Sequence, residues 1–155
     1  MLRVSKLTDY AVVVLVRLAQ QQDDAVQTSP GIALTTGIPE PTVAKVLKAL
    51  AGGGLVTSLR GARGGYRLGR PLTAIPVTDV IDAVDGPIAL TACVDGATGC
   101  CEQDSHCAMR GRWDPVNNAI REALAAITLA DMQATPMASR AIRPTSTIML
   151  SAAAE

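Results

Sequence analysis

The chain reads as a mostly α-helical protein with a small β-hairpin wing: a winged helix-turn-helix followed by a long C-terminal dimerisation helix. Three observations predict this. Helical apolar spacing appears twice within the first 52 residues, on either side of a short capped helix and a Gly-Ile-Pro-Glu-Pro turn. Two short β-type runs then flank a basic, glycine-rich tip, and a long amphipathic helix closes the patterned part of the chain.

Residues 5–22 form the first predicted helix. Leu7, Ala11, Val14 and Leu18 repeat at helical spacing, while Val12, Val13, Leu15 and Val16 widen the apolar face beyond one stripe. Such a helix is buried on more than one side. Asp23, Asp24 and Gln27 lie in a loop. Thr28 or Ser29 caps the second helix, with Pro30 just inside its start; the helix runs to Thr36 and stops at Gly37. Pro41 opens the third, which buries Val43, Val46, Leu47 and Leu50, leaves Thr42, Lys45 and Lys48 on the other side, and ends at Gly52-Gly53-Gly54.

Leu55–Leu59 and Tyr66–Leu68 are the two strands, and Arg60-Gly61-Ala62-Arg63-Gly64-Gly65 is the hairpin tip. Thr78–Val84 is a short helix after Pro76. Residues 86–108 have little periodicity and hold all four cysteines. A continuous helix from Trp113 to Met132 is then predicted, with Trp113, Val116, Ile120, Leu124 and Ile127 as its apolar stripe. A lone helix exposing that stripe is unstable, so the stripe is expected to pair across a homodimer. The chain divides into a DNA-binding unit (1–85), a cysteine loop (86–108), a dimerisation helix (109–133) and a flexible tail (134–155).

Composition narrows the partners. The 155 residues carry no net charge, but residues 1–70 hold nine Lys/Arg against four Asp/Glu, and the remainder holds five against ten. Residues 41–70 hold six basic residues and no acidic one. A basic stretch of that purity attracts a polyanion, here the phosphate backbone of double-stranded DNA. The longest strongly apolar stretch, Val12–Ala19, is interrupted by Arg17 and too short to span a bilayer, and no signal peptide is evident. The expectation is a cytoplasmic protein with no membrane partner and no small-molecule substrate.

In a helix-turn-helix the N-terminal residues of the second helix face base edges. Here these are Pro41, Thr42 and Lys45, with Lys48 one turn on and placed for phosphate. Arg60, Arg63 and Arg67 offer forked donors to phosphates or the minor groove.

Cys93, Cys100, Cys101 and Cys107 fall within fifteen residues. Cytosolic proteins seldom store structural disulfides, so the cluster points to metal or redox chemistry. The Cys-x2-Cys pairs usual for structural zinc are absent, and the adjacent Cys100 and Cys101 project divergent side chains, awkward for one small ion. An iron–sulfur cluster is larger and takes thiolates from a loop wrapped around it. Spacing alone favours a cluster and leaves a thiol redox switch and zinc open. No acid–base pair beside the cysteines and no nucleotide-binding glycine fingerprint suggest an enzyme.

Leu7-Thr8-Asp9-Tyr10-Ala11, Pro41-Thr42-Val43-Ala44-Lys45-Val46-Leu47-Lys48, and Gly54-Leu55-Val56 running into Arg60-Gly61-x-x-Gly64-Gly65-Tyr66 stand in a recognisable order. With the cysteine loop and the Trp113 helix, residues 1–132 resemble the IscR/NsrR-type family of bacterial iron–sulfur transcriptional regulators. Residues 91–132, ending Thr128-Leu129-Ala130-Asp131-Met132, most resemble its branch regulating the SUF cluster-assembly system. The resemblance implies a regulator that senses iron–sulfur status, oxidative stress or nitric oxide through a 2Fe–2S or 4Fe–4S cluster. It implies three cysteine ligands: Cys93 and Cys107 match the outer two, and Cys101 the middle one by its distance from Cys107, with Cys100 as the extra. The fourth ligand varies in the family. The IscR branch uses a His three residues after the last cysteine, where this chain has Arg110, which cannot ligate. The NsrR branch uses an N-terminal Asp from the other subunit, which matches Asp9. Cys100 and His106, the only histidine, are the alternatives. A Glu that restricts the accepted DNA sites in the IscR branch is replaced here by Ala44. The competing readings are a cluster-free thiol-based or cysteine-metabolism regulator on the same fold and, from another class, a small iron–sulfur electron carrier.

Overall fold

The computed structural model describes residues 3–21, 25–94, 107–109 and 111–134. The elements run α1 (Lys6–Ala19), α2 (Ser29–Thr36), α3 (Glu40–Gly52), β1 (Val56–Leu59), β2 (Gly65–Leu68), one 3-10 turn (Leu72–Ala74), α4 (Val77–Val84), α5 (Asp114–Ala125) and α6 (Leu129–Gln133).

Local chemistry sets most of these boundaries. The Ser5 hydroxyl accepts the Thr8 N–H at 3.1 Å and starts α1. Thr28, rather than Ser29, caps α2 by accepting the Gly31 N–H at 3.3 Å. Gly37 ends α2 at φ 72, a left-handed conformation that glycine adopts without a Cβ penalty. Val14, Leu15, Ile32, Val43, Val46, Leu47 and Leu50 are fully buried where the three helices meet. With so few aromatic residues, branched aliphatic side chains fill this core.

β1 and β2 pair antiparallel in the register Val56 with Leu68, Thr57 with Arg67, Ser58 with Tyr66 and Leu59 with Gly65. Gln27 joins them as a bridge: its N–H donates to the Tyr66 carbonyl at 2.9 Å and its carbonyl accepts from Tyr66 N at 2.8 Å. The loop before α2 thus fixes the wing to the helical body. Two wing glycines are required by space. A Cβ at Gly65 would lie 2.5 Å from the Gln27 carbonyl oxygen, and one at Gly64 2.5 Å from that of Leu59.

The predicted helix over Trp113–Met132 is two helices. α5 stops at Ala125, and Thr128 starts α6 with a capping box in which Thr128 and Asp131 satisfy each other's backbone N–H groups. The break is held from outside. The Val77 N–H donates to the Ile127 carbonyl, and the Leu129 N–H donates to the Ile75 carbonyl, each at 2.9 Å. Leu129 is thereby fully buried in the same cluster as α1, α3 and α4. The last apolar residue of the expected stripe, Ile127, lies in the connection and not on α5.

Candidate DNA-binding surface and cysteine loop

α3 presents its polar side outward because Val43, Val46 and Leu47 commit the opposite side to the core. Ala44, Lys45 and Lys48 are exposed and Thr42 is half-buried. On the wing, Arg60 and Arg63 are exposed at the tip and Arg67 is half-buried on β2. The structure therefore puts the expected DNA contacts on one helix and one hairpin. Among the described residues no ion pair engages Lys45, Lys48, Arg60 or Arg63. Arg70, the sixth basic residue of the run, is committed elsewhere: its guanidinium pairs with Asp79 at the start of α4.

Of the four cysteines, Cys93 and Cys107 fall among the described residues, and both are half-buried free thiols. Cys100, Cys101, His106 and Arg110 lie outside the described residues. Thr91 Oγ1 sits 3.2 Å from Cys93 Sγ, so a hydroxyl faces the sulfur. Asp9 is exposed in the first turn of α1, with the buried Thr8 beside it donating to Asp85 Oδ2 at 2.7 Å. That bond ties the start of α1 to the end of α4, immediately before the segment leading to Cys93.

One further residue, which carries no obvious signal in the sequence, holds the approach to Cys93. Asn117, on α5, is 2% exposed. Its carboxamide oxygen accepts the Leu90 N–H at 3.0 Å and its amide nitrogen donates to the Ile88 carbonyl at 3.1 Å. The strand of chain approaching Cys93 is thus clamped on α5. One turn later, Arg121 Nη2 lies 3.6 Å from Asp82 Oδ2 on α4. An asparagine within a helix ordinarily reads as surface, and the clamp exists only because residues 88–90 fold across it.

The outer face of α5 is open. Trp113, at its N-cap, is 40% exposed and Val116 is 45% exposed. Ile120 and Leu124 are half-buried, lining a cavity of about 450 Å³ with Ile81, Ile88 and Val4. No helix among the described residues is long and apolar enough to cross a membrane.

A three-helix body with a basic hairpin beside its third helix defines a winged-helix DNA-binding protein. The Rrf2 family model, described as an iron-dependent transcriptional regulator, matches residues 4–135, and the chain belongs to that family. It is 29% identical to the HTH-type transcriptional regulator CymR of Bacillus subtilis over 131 residues, 84% of this chain and 89% of that one. It is 32% identical to the HTH-type transcriptional regulator IscR of Yersinia pseudotuberculosis, over 84% of this chain and 79% of the other. Among solved structures, CymR (YrzC), the global cysteine regulator of B. subtilis, superposes with a TM-score of 0.63 at 31% identity, covering 85% of this chain and 96% of that one. IscR of T. potens gives 0.58 at 32% identity, covering 85% and 86%. These relatives are named as transcriptional regulators, not as enzymes.

Proposed function

We propose that this regulator is a homodimer whose affinity for promoter DNA follows the state of an iron–sulfur cluster. Cys93, Cys101 and Cys107 of one subunit hold the cluster, with Asp9 of the other as fourth ligand. The observation that carries the proposal is the placement of the Cys93 thiol. It follows directly on a segment clamped to α5, it is half-buried rather than sealed in the core, and a hydroxyl faces its sulfur. Hydrogen bonds to the sulfur of a thiolate ligand tune cluster potential. Asp9 is exposed on α1 and free to meet a partner subunit, and a carboxylate is a harder ligand than a thiolate. The described donors, two accessible thiols and a carboxylate, are of the type such a group takes. When bound, the cluster supplies iron–thiolate bonds that oxidants and nitric oxide attack.

The chain's own residues do the rest. Thr42 and Lys45 meet base edges, Lys48, Arg60, Arg63 and Arg67 meet the DNA backbone, and Trp113 and Val116 meet the second subunit. A change at the loop reaches α5 through Asn117 and resets the spacing of the two wings. The likeness of residues 91–132 to the SUF-regulating branch makes iron–sulfur assembly genes the first operators to try. Anaerobic purification followed by a visible absorption spectrum and a gel shift tests the reading.

A second reading is favoured by the likeness to a global cysteine regulator. In it the same cysteines act as thiols without a cluster. The absorption spectrum separates the two: a colourless, iron-free protein whose DNA binding responds to thiol oxidation supports the second.

A further inference from the structure

Among the described residues, two polar side chains on one face of α5 tie it to its neighbours. Asn117 holds the approach to Cys93, and Arg121, four residues on, reaches Asp82 of α4. Asp82 has a second neighbourhood. It lines a groove together with Lys45, Lys48, Gly53 and Ala83, between α4 and the DNA-facing side of α3. Its Oδ1 is shielded from solvent and has no hydrogen-bond partner, so half of the carboxylate is left over by the Arg121 pair. The groove is held narrow, because a Cβ at Gly53 would lie 2.7 Å from that of Ala83.

We infer that Asp82 is an exchangeable counter-ion of the DNA-reading helix: paired with Arg121 it leaves Lys45 and Lys48 to DNA, and freed from Arg121 it draws on those lysines instead. This rests on the reading that the cysteine loop moves α5. The chain of cause is short. A change at the loop pulls on Asn117, α5 shifts, Arg121 leaves Asp82, and an uncompensated carboxylate faces the lysines that would otherwise meet phosphate. A carboxylate beside a DNA-facing lysine lowers the gain from neutralising a phosphate. The Arg121–Asp82 state seen here is the tight-binding one.

The two partners of the pair then behave oppositely, which distinguishes this role from ordinary structural support. Full-length protein is titrated onto a duplex that the wild type enriches from a random-sequence pool. Each protein is measured twice: as purified anaerobically, and after chelation of iron and alkylation of its thiols. Wild type binds with different affinity in the two states. Arg121→Gln is expected to bind weakly in both, about two- to fivefold below the tighter wild-type state, the range of a partly exposed ion pair. Asp82→Asn is expected to bind tightly in both, and Arg121→Lys to keep the two-state difference. Both side chains are more than a third exposed, so neither substitution threatens folding. Equal weakening by Arg121→Gln and Asp82→Asn, or unchanged two-state behaviour in both, overturns the inference alone. A wild type with identical affinity in the two states overturns the sensing role of the loop and this inference with it.

Discussion

Replacing Asn117 with alanine removes a buried side chain that makes two backbone hydrogen bonds, to Leu90 N–H and Ile88 C=O, across the base of the cysteine loop. Each such bond contributes a net ~0.5–1.5 kcal/mol, and a buried group left unpaired costs ~1–3 kcal/mol more. Alanine recovers about half a kcal/mol through its higher helix propensity. The expected net destabilisation is therefore about 1.5–5.5 kcal/mol. Asn118→Ala, at the exposed neighbouring position, is the control and should stay within about 0.5 kcal/mol of wild type. Urea unfolding at one fixed protomer concentration measures both, since dissociation enters the stability of a dimer. The variant should also lose its cluster faster in air, because the approach to Cys93 is no longer fixed. An Asn117→Ala protein within about 0.5 kcal/mol of wild type refutes the claim that α5 holds the loop.

Arg60→Ala and Arg63→Ala should each weaken binding to all DNA sequences and lower the slope of log affinity against log salt by about one, measured by anisotropy across a salt series; unchanged slopes would remove the wing from the DNA contact. Lys45→Ala or Thr42→Ala should instead change the sequences recovered from a random pool, whereas recovery of the wild-type consensus would put this end of α3 away from the base edges. Val116→Asp places a charge in the proposed subunit contact at a position 45% exposed in the single chain, so it should sediment as a folded monomer; a dimeric Val116→Asp would place the interface elsewhere.

The helical body and the wing were legible in the sequence because each boundary has local chemistry. Gly37 stops α2, Pro30 sits in the first turn of α2 and Pro41 in that of α3, and the glycines of the wing sit where backbone meets backbone. The break between α5 and α6 was not. Ala125 and Ala126 are strong helix formers, and the apolar spacing continues to Ile127, so periodicity alone runs straight through. What stops the helix is Thr128 with Asp131, whose side chains cap the start of α6, and backbone bonds to Ile75 and Val77, which are tertiary. The candidate site divides the same way. Lys45, Arg60 and Arg63 announce themselves by charge in a run without acids, and the cysteines by clustering. Thr8, Asp82 and Asn117 matter only through partners distant in the chain: Asp85 for Thr8, Arg121 for Asp82, and Ile88 with Leu90 for Asn117. The Gln27 bridge to the wing, likewise, reads as plain loop until the hairpin is folded against it.

In the proposed centre the cysteines hold a cluster together with an Asp9 carboxylate from the other subunit. Its most direct test is the absorption spectrum and iron content of anaerobically purified wild type beside Asp9→Ala, Cys93→Ala, Cys107→Ala and Cys100→Ala. The expected result is coloured, iron-containing wild type, colourless Cys93→Ala and Cys107→Ala proteins, a nearly normal Cys100→Ala, and a dimeric Asp9→Ala with a shifted and labile spectrum. A wild type without iron or visible colour that still binds DNA would contradict the cluster. A wild-type spectrum and wild-type nitric oxide reactivity in Asp9→Ala would contradict the ligand assignment and turn attention to His106 or Cys100.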